Sequence, residues 1–307
     1  MTIVSTSTAA FFERSRRDIK DLRTQAENYQ SQLSSGQKID RSSDNPVAAS
    51  RLRTLSRLEA LSTIDQSNAQ RANADLSLAD SAMSDMSDAL IRAQELATQA
   101  SNSTLSDDQR ASIGAELDQI FSNLLALANA RDSNGHALFG GASSGDAYSL
   151  DAAGNAVYVG TASSGTLPLG EGQSVTRSMT GPEFLSFTGS AGSPTDLLAV
   201  VRNLADALQG AASDPTGAAS AALTDLKTGL DSLTTGQTVV GTRLAWIEVT
   251  GDRRTDLSAL RSTEESDIGS ADLATTIAQL QETMTVLEAS QSTFGKLASL
   301  NLFSQLG

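Results

Sequence analysis

The N-terminal part of the chain has a regular pattern of apolar positions. One column recurs every seven residues and a second lies three residues after it, and the members are Phe12, Ile19, Ala26 and Leu33, then Ser15, Leu22 and Tyr29. A 3-4 spacing that continues over three heptads is typical of one strand of a coiled coil. Gly36 predicts the end of this helix, because glycine is favoured just past a helix C-terminus.

Two further helices follow in the pattern. Ser43 and Asp44 are good capping residues, and Pro46 is favoured at a first helical position, so a second helix is predicted to begin there. Its heptad pattern continues over residues 48–100, which corresponds to a helix of roughly 80 Å at the usual rise per residue. Ser106 and Gln109 then form a capping-box pattern that predicts a third helix, antiparallel to the second.

The middle of the chain has a different composition. Residues 134–193 hold 12 of the 23 glycines and only five charged residues. Short β-branched and aromatic runs flank turn residues here, which predicts a hairpin of strands 148–150 and 157–159. Two further short strands are predicted at 166–169 and 184–188. This segment is interpreted as a β-rich insertion that faces outward from a helical rod.

Helical periodicity returns after Pro194 and continues to the end of the chain. The last segment has six apolar residues in heptad phase: Leu273, Ile277, Leu280, Met284, Leu287 and Phe294. Residues 1–60 contain 10 basic and 7 acidic residues, whereas residues 252–307 contain 4 basic and 8 acidic residues. Opposite charge on two heptad strands favours their pairing, so the two ends of the chain are predicted to meet in one coiled coil.

These patterns predict a mainly α fold. It is expected to be an elongated antiparallel helical bundle and coiled-coil rod with paired N- and C-termini, plus the small β-rich insertion. The predicted domains are a terminal coiled coil of residues 1–42 and 265–307, a helical rod of 43–133 and 194–264, and the insertion 134–193.

Composition excludes several classes of function. The net charge of −14 argues against a nucleic-acid binder, which would show a basic face. Cysteine is absent and there is one histidine, which excludes disulfides, thiol catalysis and multi-histidine metal sites. No signal-peptide pattern opens the sequence and no run of 18 apolar residues occurs, so neither a cleaved secretory signal nor a membrane span is expected.

Three groups of residues are candidate chemical sites. His136 lacks a second histidine or a nearby run of carboxylates, and Asp107 with Asp108 lies in a first helical turn, where acidic side chains favour the helix dipole. The acidic run 264–267 fits a solvated helix face better than a cation site. No catalytic residue, metal site or cofactor is therefore predicted, and the protein is not expected to be an enzyme.

The terminal helices point to assembly instead. The seam of these helices includes small or polar residues such as serine and alanine. Pairing the two helices with each other therefore buries too little apolar surface to offset the loss of chain entropy. These strands are therefore expected to complete their burial against neighbouring subunits. The predicted assembly seam comprises Phe12, Ile19, Leu22, Tyr29, Leu33, Ile277, Leu280, Met284, Leu287 and Phe294.

Several local motifs of the chain carry a family resemblance. SGQKI at 35–39, SDNPVAA at 43–49 and VGTRL at 240–244 are similar to patterns of the flagellin superfamily, and more narrowly of its hook-associated junction proteins. LFGG at 138–141 and LNLFSQL at 300–306 are closer to the junction proteins than to filament flagellins. The acidic run 264–267 falls where the superfamily has an acidic motif, although Glu264 stands where an apolar residue is usual.

The resemblance implies a structural subunit of the bacterial flagellum that joins hook to filament. It implies self-association in a ring or helical lattice, contacts with a neighbouring hook-associated protein and flagellin, and an export chaperone. The location implied is extracellular, at the hook–filament junction, after export without a cleaved signal. Neither a nucleic-acid partner nor a membrane is expected.

Two alternatives remain open at the level of the sequence. One is a filament flagellin. The other, from a different class, is a surface adhesin or polysaccharide-binding protein that uses the aromatic side chains of the insertion: Phe139, Tyr148, Tyr158, Phe184 and Phe187.

Overall fold

A computed structural model describes residues 3–39 and 41–306, and the side chains of 10–39 and 41–297. The helices are α1 (Ile3–Ser35), α2 (Pro46–Ala100), α3 (Asp107–Ala128), α4 (Gly181–Leu185), α5 (Leu197–Asp206), α6 (Pro215–Gly269) and α7 (Leu273–Leu306). The strands are β1 (Tyr148–Leu150), β2 (Ala156–Tyr158), β3 (Thr166–Gly170), β4 (Gln173–Thr176), β5 (Ser186–Thr188) and β6 (Pro194–Asp196). The side chains of the motif at 300–306 lie outside this description.

The predicted mainly α fold is confirmed, and the chain divides into two compact units. The terminal unit comprises Met1–Ala60 and Asp256–Gly307, and the central unit comprises Leu61–Thr255. The division falls within α2 and α6, so each of these helices contributes to both units.

In the terminal unit, the two ends of the chain pair as antiparallel helices. The rings of Phe12 in α1 and Phe294 in α7 meet edge to face, with centroids 5.4 Å apart. At the other end of the pair, Gln37 forms an antiparallel bridge with Ser270, and the Lys38 N–H donates to the Gly269 carbonyl over 2.7 Å. Pairing of the termini, which heptad phase and charge predicted, is therefore confirmed.

In the central unit, α2 and α6 form the centre of an apolar core to which α3 and α5 add their inner faces. Leu76, Met83 and Leu90 of α2 are fully buried, as are Leu226 and Leu233 of α6. The Ser106 side chain accepts from the Gln109 N–H and the Gln109 side chain accepts from the Ser106 N–H, which confirms the capping box that begins α3.

The strands form three separate antiparallel pairs, β1–β2, β3–β4 and β5–β6. The first hairpin is as predicted except that β2 is one residue earlier, because Tyr148 pairs with Tyr158. The predicted strand 184–188 is wrong in its first half. Phe184 lies in α4, where Pro182 occupies the first turn and Glu183 accepts from the Thr180 N–H over 2.7 Å.

The glycine-rich segment shares the core of the helices. The rings of Phe139 and Phe184 lie 4.9 Å apart and both side chains are fully buried. A Cβ added at Gly236 of α6 would lie 2.8 Å from Phe184 and 2.8 Å from Met83, so the absence of a side chain there lets the segment approach the helices. Side chains of 134–193 therefore contribute directly to the packing of the central unit.

Candidate assembly surface

The predicted seam residues of α1 all lie on one face of the helix. Phe12, Ile19, Leu22, Tyr29 and Leu33 are half-buried, and this face packs against α7. The spacing of three and four residues places them along one stripe.

α7 turns a different stripe toward α1 from the one that its apolar residues suggested. Its most buried side chains are Thr276 and Thr283, whereas Leu280, Leu287 and Phe294 are half-buried. The hydroxyl of Thr283 donates to the Gln279 carbonyl over 2.7 Å, which satisfies it inside the helix pair. Two small polar residues therefore hold the most buried positions of α7, and the larger apolar side chains beside them are only half-buried.

Ile277 and Met284, which the sequence placed on the same seam, lie outside this helix pair. Ile277 is 45% exposed and Met284 is 56% exposed, and Leu273 beside them is 51% exposed. The column 276–283–290 faces α1, so the neighbouring column 277–284 rotates onto the surface, since adjacent helical residues are separated by roughly 100°. We call Leu273, Ile277 and Met284 the apolar flank.

A groove runs along the pair on another side of α7. Its volume is about 350 Å³, and its large apolar lining residues are Phe11, Ile19, Val286, Phe294 and Leu297. Phe11 is 48% exposed and Val286 is 44% exposed. We call this the apolar groove.

The flank and the groove together leave much apolar side-chain surface in contact with water. Complete burial of one side chain the size of Ile or Met stabilises a contact by about 1.5–3 kcal/mol. A cluster of such side chains marks an interaction surface more often than scattered single residues do.

The acidic run 264–267 has a structural role at Glu264. The Arg51 guanidinium donates to both carboxylate oxygens of Glu264, over 2.5 and 2.7 Å, and so joins α2 to α6 within the terminal unit. The hydrogen bond from Arg51 lowers the pKa of Glu264 from its ordinary value. Because both side chains are exposed, this pair adds little stability.

The remaining chemical candidates each lie beside one charged side chain of their own segment. His136 Nδ1 lies 3.5 Å from Asp132 Oδ2, and Asp107 pairs with Arg110 in the first turn of α3. Within the described residues, no group of three or more His, Asp or Glu side chains is placed to hold a metal ion. The described helices also include none long and apolar enough to cross a membrane.

Sequence reasoning missed the groove residues Phe11, Val286 and Leu297. They fall outside the heptad columns that predicted the seam, and their signal is only that they are large apolar residues on predicted helices. It also missed Thr276 and Thr283, because threonine at an inner position gives no hydrophobic signal.

Comparison with known proteins identifies relatives over nearly the whole chain. The family model of the bacterial flagellin N-terminal helical region matches residues 4–144. The flagellar hook-associated protein 3 of Escherichia coli (strain K12) is 30% identical over 97% of this chain and 98% of that protein. Its counterpart from Salmonella typhimurium is 27% identical over the same shares.

Solved structures show the same fold. The flagellar hook-associated protein-3 of Legionella pneumophila superposes with a TM-score of 0.64 at 16% identity, covering 70% of this chain and 98% of that one.

Proposed function

The chain belongs to the family of flagellar hook-associated protein 3, and we propose that it acts as the structural subunit that joins the flagellar hook to the filament. Function in such a subunit is packing and load transfer rather than turnover. The relatives are flagellar structural proteins, which agrees with a role that needs no catalytic residue.

The observation that carries the mechanism is the apolar flank of α7. Ile277 and Met284 are exposed to solvent, whereas Thr276 and Thr283 are the buried residues of the α1–α7 pair. A neighbouring subunit that covers the flank would bury these side chains at no cost to the α1–α7 pair. We propose that the ten seam residues act together in this way: eight hold the two terminal helices side by side, and Ile277 and Met284 contact a neighbour.

A second copy of the chain is the proposed neighbour within the assembly. The apolar flank and the apolar groove lie on the same helix pair, so one copy can present its flank to the groove of the next. Such a head-to-tail contact generates a ring or a helical lattice, depending on the rotation between copies.

Contacts at the two ends of the assembly are proposed to involve a neighbouring hook-associated protein and flagellin, with an export chaperone before assembly. The proposed location is extracellular, at the hook–filament junction. Few apolar side chains are buried in the terminal unit, which supports the proposal that a partner covers these helices.

The test places a charge on the flank. The assay measures how much protein co-sediments with isolated flagellar hooks that lack it. For Met284→Asp this amount should fall by at least about tenfold, because burying a carboxylate without a partner is costly. Cells that carry this variant in place of the native protein should lose motility and release flagellin into the medium.

Thr285→Asp provides the matched control. It adds the same charge at the next residue, which is exposed on a different face of α7. Co-sedimentation of Met284→Asp at the level of Thr285→Asp and of the native protein would show that the flank is not an assembly contact.

A further inference from the structure

Met284 differs from the other described methionines in its access to solvent. Met83, Met86 and Met179 are 0%, 1% and 5% exposed, whereas Met284 is 56% exposed. The fifth methionine, Met1, lies outside the described residues. The chain has no cysteine, so thioethers are its only sulfur groups.

We propose that Met284 is an oxidation site through which peroxides prevent this chain from assembling. Hydrogen peroxide transfers one oxygen atom to the thioether sulfur, its O–O bond breaks, and water leaves. The sulfur is oxidised to the sulfoxide and the peroxide is reduced, so no further reactant is needed. The inference rests on the proposed function, because it requires that the apolar flank contact a neighbour.

The physical consequence follows from the position of the sulfur on the flank. A thioether is a soft apolar group, and its sulfoxide is a polar hydrogen-bond acceptor. Ile277 lies one heptad away on the same column, and Leu280 and Leu287 lie within one turn of Met284. A neighbour that buries this surface would have to desolvate the sulfoxide oxygen among apolar side chains.

The same reaction should leave the fold intact, because the exposed methionine reacts and the core methionines are buried. The sulfurs of Met83 and Met86 lie in the core of the central unit, where peroxide cannot reach them without local opening. Oxidation of Met284 should therefore leave the folded chain intact and change only its surface. Because sulfoxide reductases reverse this modification, the effect should be reversible.

The experiment treats the purified, unassembled full chain with hydrogen peroxide and maps the added oxygen by peptide mass spectrometry. Met284 should gain oxygen before the three buried methionines do. The oxidised chain should then lose co-sedimentation with isolated hooks by about tenfold or more, and methionine sulfoxide reductase should restore it.

Met284→Leu is the matched control, because leucine keeps the apolar character and approximate volume without the sulfur. This variant should co-sediment like the native protein both before and after peroxide treatment, even if Met1 is oxidised. Met284→Gln, which places a polar group of similar length there, should behave like the oxidised native chain without any treatment.

Three results would overturn the inference. The first is oxidation of Met284 no faster than that of the buried methionines, and the second is normal co-sedimentation of the chain once Met284 is oxidised. Equal loss of co-sedimentation by native protein and Met284→Leu after peroxide would also overturn it, because another residue would carry the sensitivity. Failure of the proposed function is recognised separately, since Met284→Asp would then co-sediment normally.

Discussion

The terminal and central units use the same kind of long helix but bury very different amounts of apolar surface. Among the described residues of the terminal unit, only Ala49 and Leu55 are buried hydrophobic side chains. The central unit contains all the others, including the large side chains Phe139 and Phe184. Exposed apolar residues occur in both units, but only the central unit has a core large enough to offset its chain entropy by itself.

The two units also differ in charge. The terminal unit contains 12 basic and 14 acidic residues, whereas the central unit contains 10 basic and 22 acidic residues. A nearly balanced surface with exposed apolar side chains favours contact with further copies, and a strongly acidic surface opposes it. The comparison therefore supports the proposal that assembly contacts lie on the terminal unit, whereas the central unit has the larger core.

The largest expected effect comes from a buried ion cluster in the central unit. Arg177 Nε donates to Asp75 over 2.9 Å, and its Nη2 donates to Asp132. The two carboxylates are 3% and 2% exposed. Arg177→Met leaves both of them buried without their cation, so the free energy of unfolding should fall by about 3 kcal/mol.

Denaturant unfolding followed by circular dichroism measures this change. Arg253→Met is the control, because the Arg253–Glu171 pair has side chains that are 72% and 43% exposed. Loss of this exposed ion pair should lower the free energy of unfolding by less than about 1 kcal/mol. Similar effects of the two substitutions would mean that the cluster is as well hydrated as the surface pair.

The pH dependence of stability in Arg177→Met tests the same ion cluster in a second way. Burial alone raises the pKa of Asp132, but N–H donors from His136 and Asn134 and the charge of Arg177 outweigh it, so this pKa is lowered. A lowered pKa in the folded state contributes stability above the unfolded value, about pH 4, and that stability is lost as pH falls through the folded value. The difference in the free energy of unfolding between the native protein and Arg177→Met should therefore become smaller as the pH is lowered.

The sequence predicted what depends on local spacing. The long helices, the capping box at Ser106 and the first hairpin all leave signals within a few residues. Thr180 and Glu183 form another such signal, T-x-x-E, which could have identified α4 and removed Phe184 from a predicted strand.

What depends on distant partners could not be predicted in the same way. Arg177 is separated by 102 residues from Asp75 and by 45 from Asp132, and nothing in the pattern connects them. On α7, the column containing Leu280 and Leu287 has threonines on one side and Ile277 with Met284 on the other. Only packing against α1 decides which of these columns is inside, so the apolar flank could not be separated from the seam.

A smaller effect is expected where the glycine-rich segment meets α6. Gly236→Ala would place a Cβ 2.8 Å from both Met83 and Phe184, and this overpacking should cost about 1–3 kcal/mol. Gly241→Ala, on the same helix, would meet nothing within 4 Å and should stabilise the unit by about 0.5–1 kcal/mol through helix propensity. Thermal unfolding of the two variants should therefore shift in opposite directions, and a shared direction would show that the core accommodates the methyl group.

The smallest expected effect concerns the stability of the terminal unit. Met284→Ala removes an exposed side chain, so the free energy of unfolding should change by no more than about 0.5 kcal/mol. Leu287→Ala removes a half-buried side chain from the α1–α7 pair and should cost about 1 kcal/mol. Hydrogen exchange of α7 amides in the unassembled chain measures both, because it reports local opening of this helix pair. In co-sedimentation with hooks the order should reverse, since the contact proposed for Met284 is with a neighbour and not within the chain. If Met284→Ala speeds exchange as much as Leu287→Ala does, the flank is already packed in the isolated chain, and the terminal unit would be as self-sufficient as the central one.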